Sequence, residues 1–582
     1  MPSACVSRVG ARTKRRRPAK PDFRTIPARR ISRLIHMMKN IEQSLTELIT
    51  QALGELGVAD MAGDPAQYLE VPSSDAFGDY SSTLPLRLSR QLKKPPRQIA
   101  AQFSETLTRL LSDALKPYVA AIKPEGAGFV NFYLSNLYLY EQLQEILRKK
   151  EAYARDDIGK HKKVLIEFVS ANPTGALSVA HARQAAVGDC LASILTFLGF
   201  DVFKEYYLND EGNQINILGN SIALRLKELS GEKIDFPEDH YQGEYIYDIA
   251  REIKEKGIVV ENYGDYGAAC ILEVIKKELE DFGVTFDNWY SQKALGKSGK
   301  IEEALEELKK KGLVYESEGA WWLRSTEFGD DKDRVVVKSD GSHTYLAPDI
   351  AYHQEKYRRG FQWLINLWGP DHHGYINRLK ASVAAFGGDP DTLSVIIVQL
   401  ATIFRGGKPV QMSTRKGQYI TLREVLNEVG LDASRFFFLM RRTSSHLDFD
   451  LDIAKKQTSE NPVYYVQYAH ARMHGILRSS PLPPETRVAG LSVLTEIEEI
   501  NLMRKLTRLP RMLRVCLLTQ DPYMLTVYLQ EVASEFHKFY DRHRVLGQDE
   551  GLTRARLALL EATRIIVATG LRLLGVSRPE KM

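Results

Sequence analysis

The chain reads as a multidomain α/β + α protein: a Rossmann-type domain built on a parallel sheet, with insertions, between an N-terminal α+β domain and a C-terminal helical bundle. Three observations predict this. At 582 residues, 44% hydrophobic and 26% charged, it has the length of three or four domains and ordinary globular composition. Near residue 163 the pattern turns to a buried-looking strand, VLIEFV (164–169), a tight loop, SANPTG (170–175), a long helical stretch from Ser178 to Leu198, and a second strand, DVFKEYY (201–207). That succession opens a doubly wound sheet, whose ligands sit at the carboxyl ends of the strands. From about Asn461 to Met582 the periodicity is nearly all helical, broken at SSPLPPETR (479–487).

In chain order, residues 1–40 hold twelve Lys or Arg against the single acid Asp22. That head carries +11 of a total of +5, so the remainder is −6 and any nucleic-acid surface must be a local patch. The head is expected to be disordered; it reads as a misplaced start upstream of Met37 or Met38, an organellar presequence or an RNA-binding tail. Folding begins near Ile41, where IEQSLTELITQALGELG has helical spacing closed by Gly57. A compact α+β unit follows to about 145, with a turn-like SSDAFGDYSS (73–82), a helix started by Pro95-Pro96 and a strand at Phe129–Tyr133. After the second strand of the sheet, 210–345 reads as a mostly helical insertion with a strand pair near LVYESEGAWWLR (313–324) and RVVVKSDG (334–341). The β/α pattern resumes with QWLINLW (362–368), GPDHHGYINRLKASVAAF and LSVIIVQL (393–400).

Composition excludes several classes. The longest nearly apolar stretch, Leu393 to Phe404, contains Gln399 and Thr402 and falls well short of the ~20 residues that span a bilayer, so no membrane partner is expected. Four scattered cysteines without a CxxC pair argue against a disulfide framework and a cysteine zinc site, and fit a reducing, cytoplasmic setting.

Two segments carry chemistry. The loop SANPTGALSVAHAR joins strand to helix and aims backbone N–H groups and the positive helix end at one spot, suited to a phosphate or developing anion. His181, one turn in, either donates to that anion or merely packs or caps the helix. Further on, Gln411-Met-Ser-Thr-Arg-Lys416-Gly417 puts two adjacent cations on a Gly-flanked loop, which can close over a triphosphate or simply be solvated.

Together EFVSANPTG with AHAR (167–183), EYYLNDEGNQI (205–215), SDGSHTYLAPDIAYH (339–353), WGPDHHGYINRLKA (368–381), MSTRKG (412–417), NPVYYVQYAHAR (461–472) and the ending LLGVSRPEKM resemble the class I arginyl-tRNA synthetases in order and spacing, from about residue 41 to the end. Beyond the basic head (1–40), the resemblance implies an N-terminal α+β tRNA-binding domain (41–145), a Rossmann-type catalytic domain with an insertion (146–458) and a helical anticodon-binding domain (459–582). It implies ATP-dependent ligation of L-arginine to its cognate tRNA through arginyl-adenylate, with activation itself requiring tRNA. Mg²⁺ would come with ATP, with no tightly bound cofactor and no protein metal site, and the chain would work as a monomer.

The resemblance also assigns residues. Glu167, Asn172, Tyr345, Asp349 and His373 match the arginine pocket, where a planar five-donor guanidinium needs carboxylates and carbonyls to meet it. Asp349 has the alternative of capping the helix that begins there, and Asn172 that of a plain turn. Pro173, Thr174, Gly175, Ala180, His181, Gly369, Asp371 and His372 match the ATP site. Ser178 and His181, with Met412, Ser413, Arg415 and Lys416, match the catalytic motifs. Tyr465, Tyr468, Arg472 and Met582 match the tRNA-contacting surface, although Tyr464, Tyr465 and Tyr468 at helical spacing could equally be core. Arg504, Arg508, Arg511 and Arg514 form one cationic helix face, for phosphates or for solvent. Two departures stand out. Where class I synthetases read His-x-Gly-His, this chain has Ser178-Val-Ala180-His181, and its Lys-Met-Ser-Lys loop begins with Gln411 and has Thr414 fourth. A non-catalytic RNA-binding paralogue and another nucleotidyl transferase on the same fold are the competing readings.

Overall fold

The computed structural model describes residues 41–62, 65–72, 74–410, 419–483 and 490–582. The basic head and residues 411–418, with Met412, Ser413, Arg415 and Lys416, lie outside them. Among the described residues no helix is long and apolar enough to cross a membrane. The chain divides into two compact units, one ending at Gln142 and one beginning at Leu143.

In the first unit, α1 (Ile41–Glu55) buries Ile41, Leu45, Leu48, Ile49 and Ala52 on one helical stripe. β1 (Leu69–Glu70) and β2 (Tyr80–Ser82) precede α2 (Leu84–Leu92) and α3 (Pro96–Leu110), and then come β3 (Val119–Glu125), β4 (Phe129–Leu134) and α4 (Asn136–Lys149), which runs across the division. The strands form an antiparallel sheet in the order β1-β2-β4-β3. β2 corrects the turn expected through residue 82. All three of its residues are buried, and Ser81 donates to the Asn131 side chain at 2.6 Å, so a serine-rich strand without apolar alternation still satisfies its polar groups.

The second unit is built on a five-stranded, all-parallel sheet. Its strands are β5 (Lys163–Glu167), β6 (Asp201–Leu208), β7 (Asn288–Ser291), β11 (Trp363–Trp368) and β12 (Leu393–Ile397), in the order β12-β11-β5-β6-β7. β7 was not expected, so 210–345 is not wholly an insertion. Four half-buried residues at a sheet edge, NWYS, carry no hydrophobic run to announce them. Helix α5 (Val179–Phe197) links β5 to β6, and α6 (Asn213–Leu229), α7 (Glu244–Lys256) and α8 (Tyr263–Asp281) precede β7. The expected strand pair is a three-stranded antiparallel sheet after α9 (Lys300–Lys310): LVYESEGAWWLR folds on itself into β8 (Val314–Ser317) and β9 (Ala320–Leu323), and β9 also pairs with β10 (Arg334–Val337). The turn residues Glu318 and Gly319, at φ +55° and +74°, match the two-residue hairpin that requires positive φ twice.

α10 (Leu346–Arg358) leads into β11, and α11 (Ile376–Phe386) into β12. A small second sheet joins β14 (Lys408–Pro409), β13 (Ala401–Arg405) and β15 (Leu447–Asp450), and α12 (Leu422–Leu439) lies between β14 and β15 in sequence. The remainder is helical: α13 (Pro462–Arg478), α14 (Ile497–Thr507), α15 (Leu509–Thr519), α16 (Tyr523–Arg542) and α17 (Glu550–Leu574). The expected arginine face is therefore divided between two helices that meet at Arg508, two residues before Pro510 in the first turn of α15.

α5 is buried on almost every side. At Gly188 a Cβ would lie 2.4 Å from the Phe168 ring, so only glycine lets the helix lie this close to the end of β5. Two guanidiniums tie α5 to later segments. Arg183, fully buried, donates to the carbonyls of Gln399 at 2.7 Å and of Arg442 and Ser445 at 2.9 Å. Arg435 of α12 donates to Asp189 of α5 at 2.6 Å, to the Phe282 carbonyl at 3.1 Å and to the Leu574 carbonyl, the last of α17, at 2.9 Å.

Candidate functional site

β5 comes first in the sheet's sequence but lies in its middle. The chain leaves it towards β6 and β7 and returns on its other side as β11 and β12, so the crevice at the carboxyl ends of β5 and β11 is a topological switch point. Glu167 and Asn366 face each other there in register. Just beyond, Val169 and Ser170 take φ of +68° and +41°. A β-branched residue rarely adopts that conformation, and here it turns the chain off the sheet into SANPTG. The Ser170 hydroxyl accepts the Tyr207 N–H at 3.1 Å and anchors the turn to β6.

A cavity of about 640 Å³ opens at this point. Of the residues singled out from sequence, Glu167, Asn172, Ala180, His181, Tyr345, Asp349, Gly369, Asp371 and His372 line it. A smaller cavity of about 240 Å³ on the other side of the loop takes Thr174, Gly175 and Ser178 and shares Asn172 and His181. Two tyrosines fix the loop between them: Tyr245 donates to the Thr174 carbonyl at 2.6 Å and Tyr419 to the Ala176 carbonyl at 2.9 Å. A Cβ on Gly175 would sit 3.3 Å from both hydroxyls. Pro173 is buried beneath the loop. His373, expected near the arginine pocket, is exposed and does not line the cavity; from the same segment it is Tyr375 that does, and its hydroxyl donates to Asp349 at 2.7 Å. The position of α10 corrects the capping alternative for Asp349: the residue at the cap is Tyr345, 82% exposed at the cavity mouth, and Asp349 lies inside the first turn. Asn172 donates to Gln214 at 2.6 Å, which ties the loop to α6.

Beneath the cavity lies a buried polar network that the sequence reading missed. Lys356 donates to Glu167 at 2.5 Å and to Asn366 at 3.3 Å, Asn366 donates to His353 Nε2 at 2.9 Å, and His353 Nδ1 donates to the Asp349 carbonyl at 2.8 Å. This pairing sets the His353 tautomer. Burial holds that imidazole well below its ordinary range, so it is neutral. Burial also pushes the Asp349 carboxyl up to about 7, against the lowering effect of the Tyr375 hydroxyl bond. A carboxyl raised in this way is poised for a cationic ligand. The missing signal was helical spacing: Asp349, His353 and Lys356 are four and three residues apart and share one face.

Ser178 caps α5. Its backbone N–H donates to His181 Nδ1 at 3.2 Å, and its hydroxyl lies 3.2 Å from the same nitrogen. His181 therefore serves the helix end, as its capping alternative required, and carries its proton on Nε2. Burial lowers it to about 4, so near neutral pH the ring offers one uncharged donor to the two cavities it lines.

On α13, Tyr464, Tyr465 and Tyr468 are half-buried rather than core. Tyr468 stacks on Tyr464 at 6.1 Å and on His537 at 6.0 Å, while Tyr465 packs on His537 at 4.7 Å. Arg472 is exposed and donates to the Tyr540 hydroxyl at 2.7 Å. Met582, 51% exposed, lines a cavity of about 460 Å³ with Tyr464 and Gln467, because Ser577 and Pro579 pin the chain end to Gln467 and His470.

Three family models match in succession: an arginyl tRNA synthetase N-terminal domain at 43–134, the catalytic domain of class I (R) tRNA synthetases at 142–446, and a DALR anticodon-binding domain at 466–582. The arginine–tRNA ligase of Citrifermentans bemidjiense is 46% identical over 534 residues, covering 89% of this chain and 95% of the relative. The chain belongs to the arginyl-tRNA synthetases. The arginine–tRNA ligase of Anoxybacillus flavithermus is 45% identical across 94% of this chain and its own full length. A solved putative arginyl-tRNA synthetase from Campylobacter jejuni superposes with a TM-score of 0.72 at 36% identity, covering 77% of this chain and all of that one. In this synthetase Ser178–His181 occupies the start of the helix that follows the first strand of the parallel sheet, where Ala180 and His181 line the larger cavity.

Proposed function

We infer that the switch-point cavity is where this chain carries out ATP-dependent ligation of L-arginine to its cognate tRNA through arginyl-adenylate. The observation that carries the residue-level reading is Asp349: a buried carboxyl raised to about 7, partnered by a tyrosine hydroxyl, at the base of a cavity of about 640 Å³. It takes the guanidinium, with Tyr345 closing over the mouth. Glu167 and Asn172, on the strand end and loop, receive the α-ammonium and carboxylate end. Gly369, Asp371 and His372 border the adenosine, and the Ala180 methyl forms part of the wall against which the base lies.

An oxygen of the arginine carboxylate attacks the α-phosphorus of ATP, the bond to pyrophosphate breaks, and pyrophosphate leaves. A hydroxyl of the tRNA's terminal ribose then attacks the activated carbonyl and displaces AMP. Neither step needs a covalent protein intermediate, so positioning and charge stabilisation carry the rate. His181 Nε2–H donates to phosphate oxygens. Ser178 acts mainly by holding the ring and the helix end, and the cations Arg415 and Lys416 neutralise the triphosphate. Mg²⁺ enters with ATP as part of the substrate. Tyr465, Tyr468, Arg472 and Met582 receive the tRNA anticodon on the aromatic face of α13. One chain carries both the cavity and this face, which supports a working monomer, and its free thiols at Cys190, Cys270 and Cys516 fit a cytoplasmic setting.

Pyrophosphate exchange with arginine and ATP, with and without tRNA, tests the reading. Arginine-specific exchange that depends on tRNA is the expected result. Its absence with every amino acid would favour the RNA-binding paralogue.

A further inference from the structure

We propose that Lys356 is a positioning residue of the arginine pocket: its ammonium holds one carboxylate oxygen of Glu167 and, through Asn366 and His353, ties that carboxylate to the backbone of Asp349. The proposal rests on the arginine reading of the cavity given above. Lys356 is fully buried, gives a short hydrogen bond to Glu167 and a longer one, at 3.3 Å, to Asn366, and lies 4.0 Å over the Tyr352 ring. Desolvating an ammonium is costly, and an apolar side chain of the same length would fill that space without the cost. What the ammonium adds is geometry and charge balance.

Glu167 ends β5, Asn366 lies in β11, and Asp349, His353 and Lys356 come from α10. These are the two central strands of the crevice and the helix between β10 and β11, so one hydrogen-bonded chain spans all three. With Glu167 Oε2 committed to Lys356, Oε1 has, among the described residues, a 3.4 Å contact with the Ser170 hydroxyl and is the oxygen left for a ligand. The Lys356–Glu167 pair also leaves Asp349 as the carboxyl without a cationic partner among these network residues, matching the single charge of one guanidinium. Glu205, next along the sheet, is neutralised separately by Arg359 at 2.7 Å and accepts from Tyr352 at 2.8 Å, so the two acidic positions do not share a cation hydrogen bond.

The test is steady-state pyrophosphate exchange, with tRNA present, on wild type, Lys356→Met, Glu167→Gln and the double variant, with melting temperatures measured in parallel. Lys356→Met should raise the arginine KM at least tenfold while the ATP KM stays within threefold. Because Lys356 acts through Glu167, the double variant should have the arginine KM of Glu167→Gln alone to within threefold. The double variant also removes both buried charges together, so it remains informative if Lys356→Met does not fold. An unchanged arginine KM in Lys356→Met overturns the proposal, as does a double variant whose defects multiply. A parallel loss in arginine and ATP parameters marks Lys356 as structural only and overturns it too. Absence of arginine-dependent exchange in the wild type would instead overturn the arginine reading itself.

Discussion

Raising the pH from 6 to 8 should tighten arginine binding about tenfold. The Asp349 carboxyl is held up at about 7, first by burial, so roughly a tenth of it is ionised at pH 6 and nine-tenths at pH 8. The ligand's guanidinium stays cationic throughout, and only the ionised carboxylate can pair with it. Two other groups lining the cavity are silent over this range, since burial holds His181 at about 4 and His353 well below its ordinary value. The linkage has a definite sign. An unfolded chain loses this proton near the ordinary 3.8, whereas the folded one keeps it to about 7, so the group lowers stability progressively between those values. Above 7 the loss is on the order of 4 kcal/mol, and bound arginine offsets part of it. Saturating arginine should therefore raise the melting temperature more at pH 8 than at pH 6. Titration calorimetry at pH 6, 7 and 8, in buffers of different ionisation enthalpy, measures affinity and proton release together. Release of up to one proton below pH 7, fading above it, is expected, and Asp349→Asn should abolish both that release and the pH dependence. An affinity flat from pH 6 to 8 in the wild type would refute the reasoning.

Asp349→Ala and Glu167→Ala should each weaken arginine use by several kcal/mol in kcat/KM while sparing the ATP KM, and near-native arginine kinetics would make either residue structural. Tyr468→Ala removes a ring stacked on Tyr464 and His537, so the tRNA KM should rise by the factor that corresponds to ~1 to 3 kcal/mol, with the circular dichroism unchanged; an equal loss with an anticodon-swapped tRNA would count against an anticodon role. His181→Ala should lower single-turnover adenylate formation roughly 10²-fold or more with little change in ATP KM, and an undiminished rate would remove it from the mechanism. Ser178→Ala should slow the same step by about tenfold at most and lower stability by ~1 kcal/mol, because its structural place is the cap of α5.

The sequence made the switch-point elements legible because β5 is a short apolar run ended by the SANPTG turn and α5 is an apolar stretch too long to be a strand. It was less informative where a residue's part depends on what folds against it. β7 is four residues at an edge, with no pattern until β6 supplies its partner. The Ser178–His181 segment could be read as catalytic motif or helix cap, and the structure gives it the cap while leaving one imidazole proton to spare. Asp349 was singled out but Lys356 was not, since a lone lysine seven residues along a helix usually reads as solvated surface. Only the return of β11 beside β5 brings Asn366 and Glu167 together to bury it. Tyr375 stood two positions beyond the histidine chosen from the same segment, and the 3-10 turn from Pro370 to Tyr375 decides which of the two faces inward.

The guanidinium of Arg435 bears on how separable the parts of this protein are. Its three partners are a carboxylate on the helix that carries His181, the carbonyl of Phe282 just beyond α8, and the carbonyl that ends α17. A gene cut after α12 would delete the last of these and open a sealed cation to water, so an isolated ligase half should be unstable and prone to aggregate. Exchange of helical modules between relatives would have to preserve that one carbonyl. The boundary that reads as a joint in the sequence is, in three dimensions, a shared keystone.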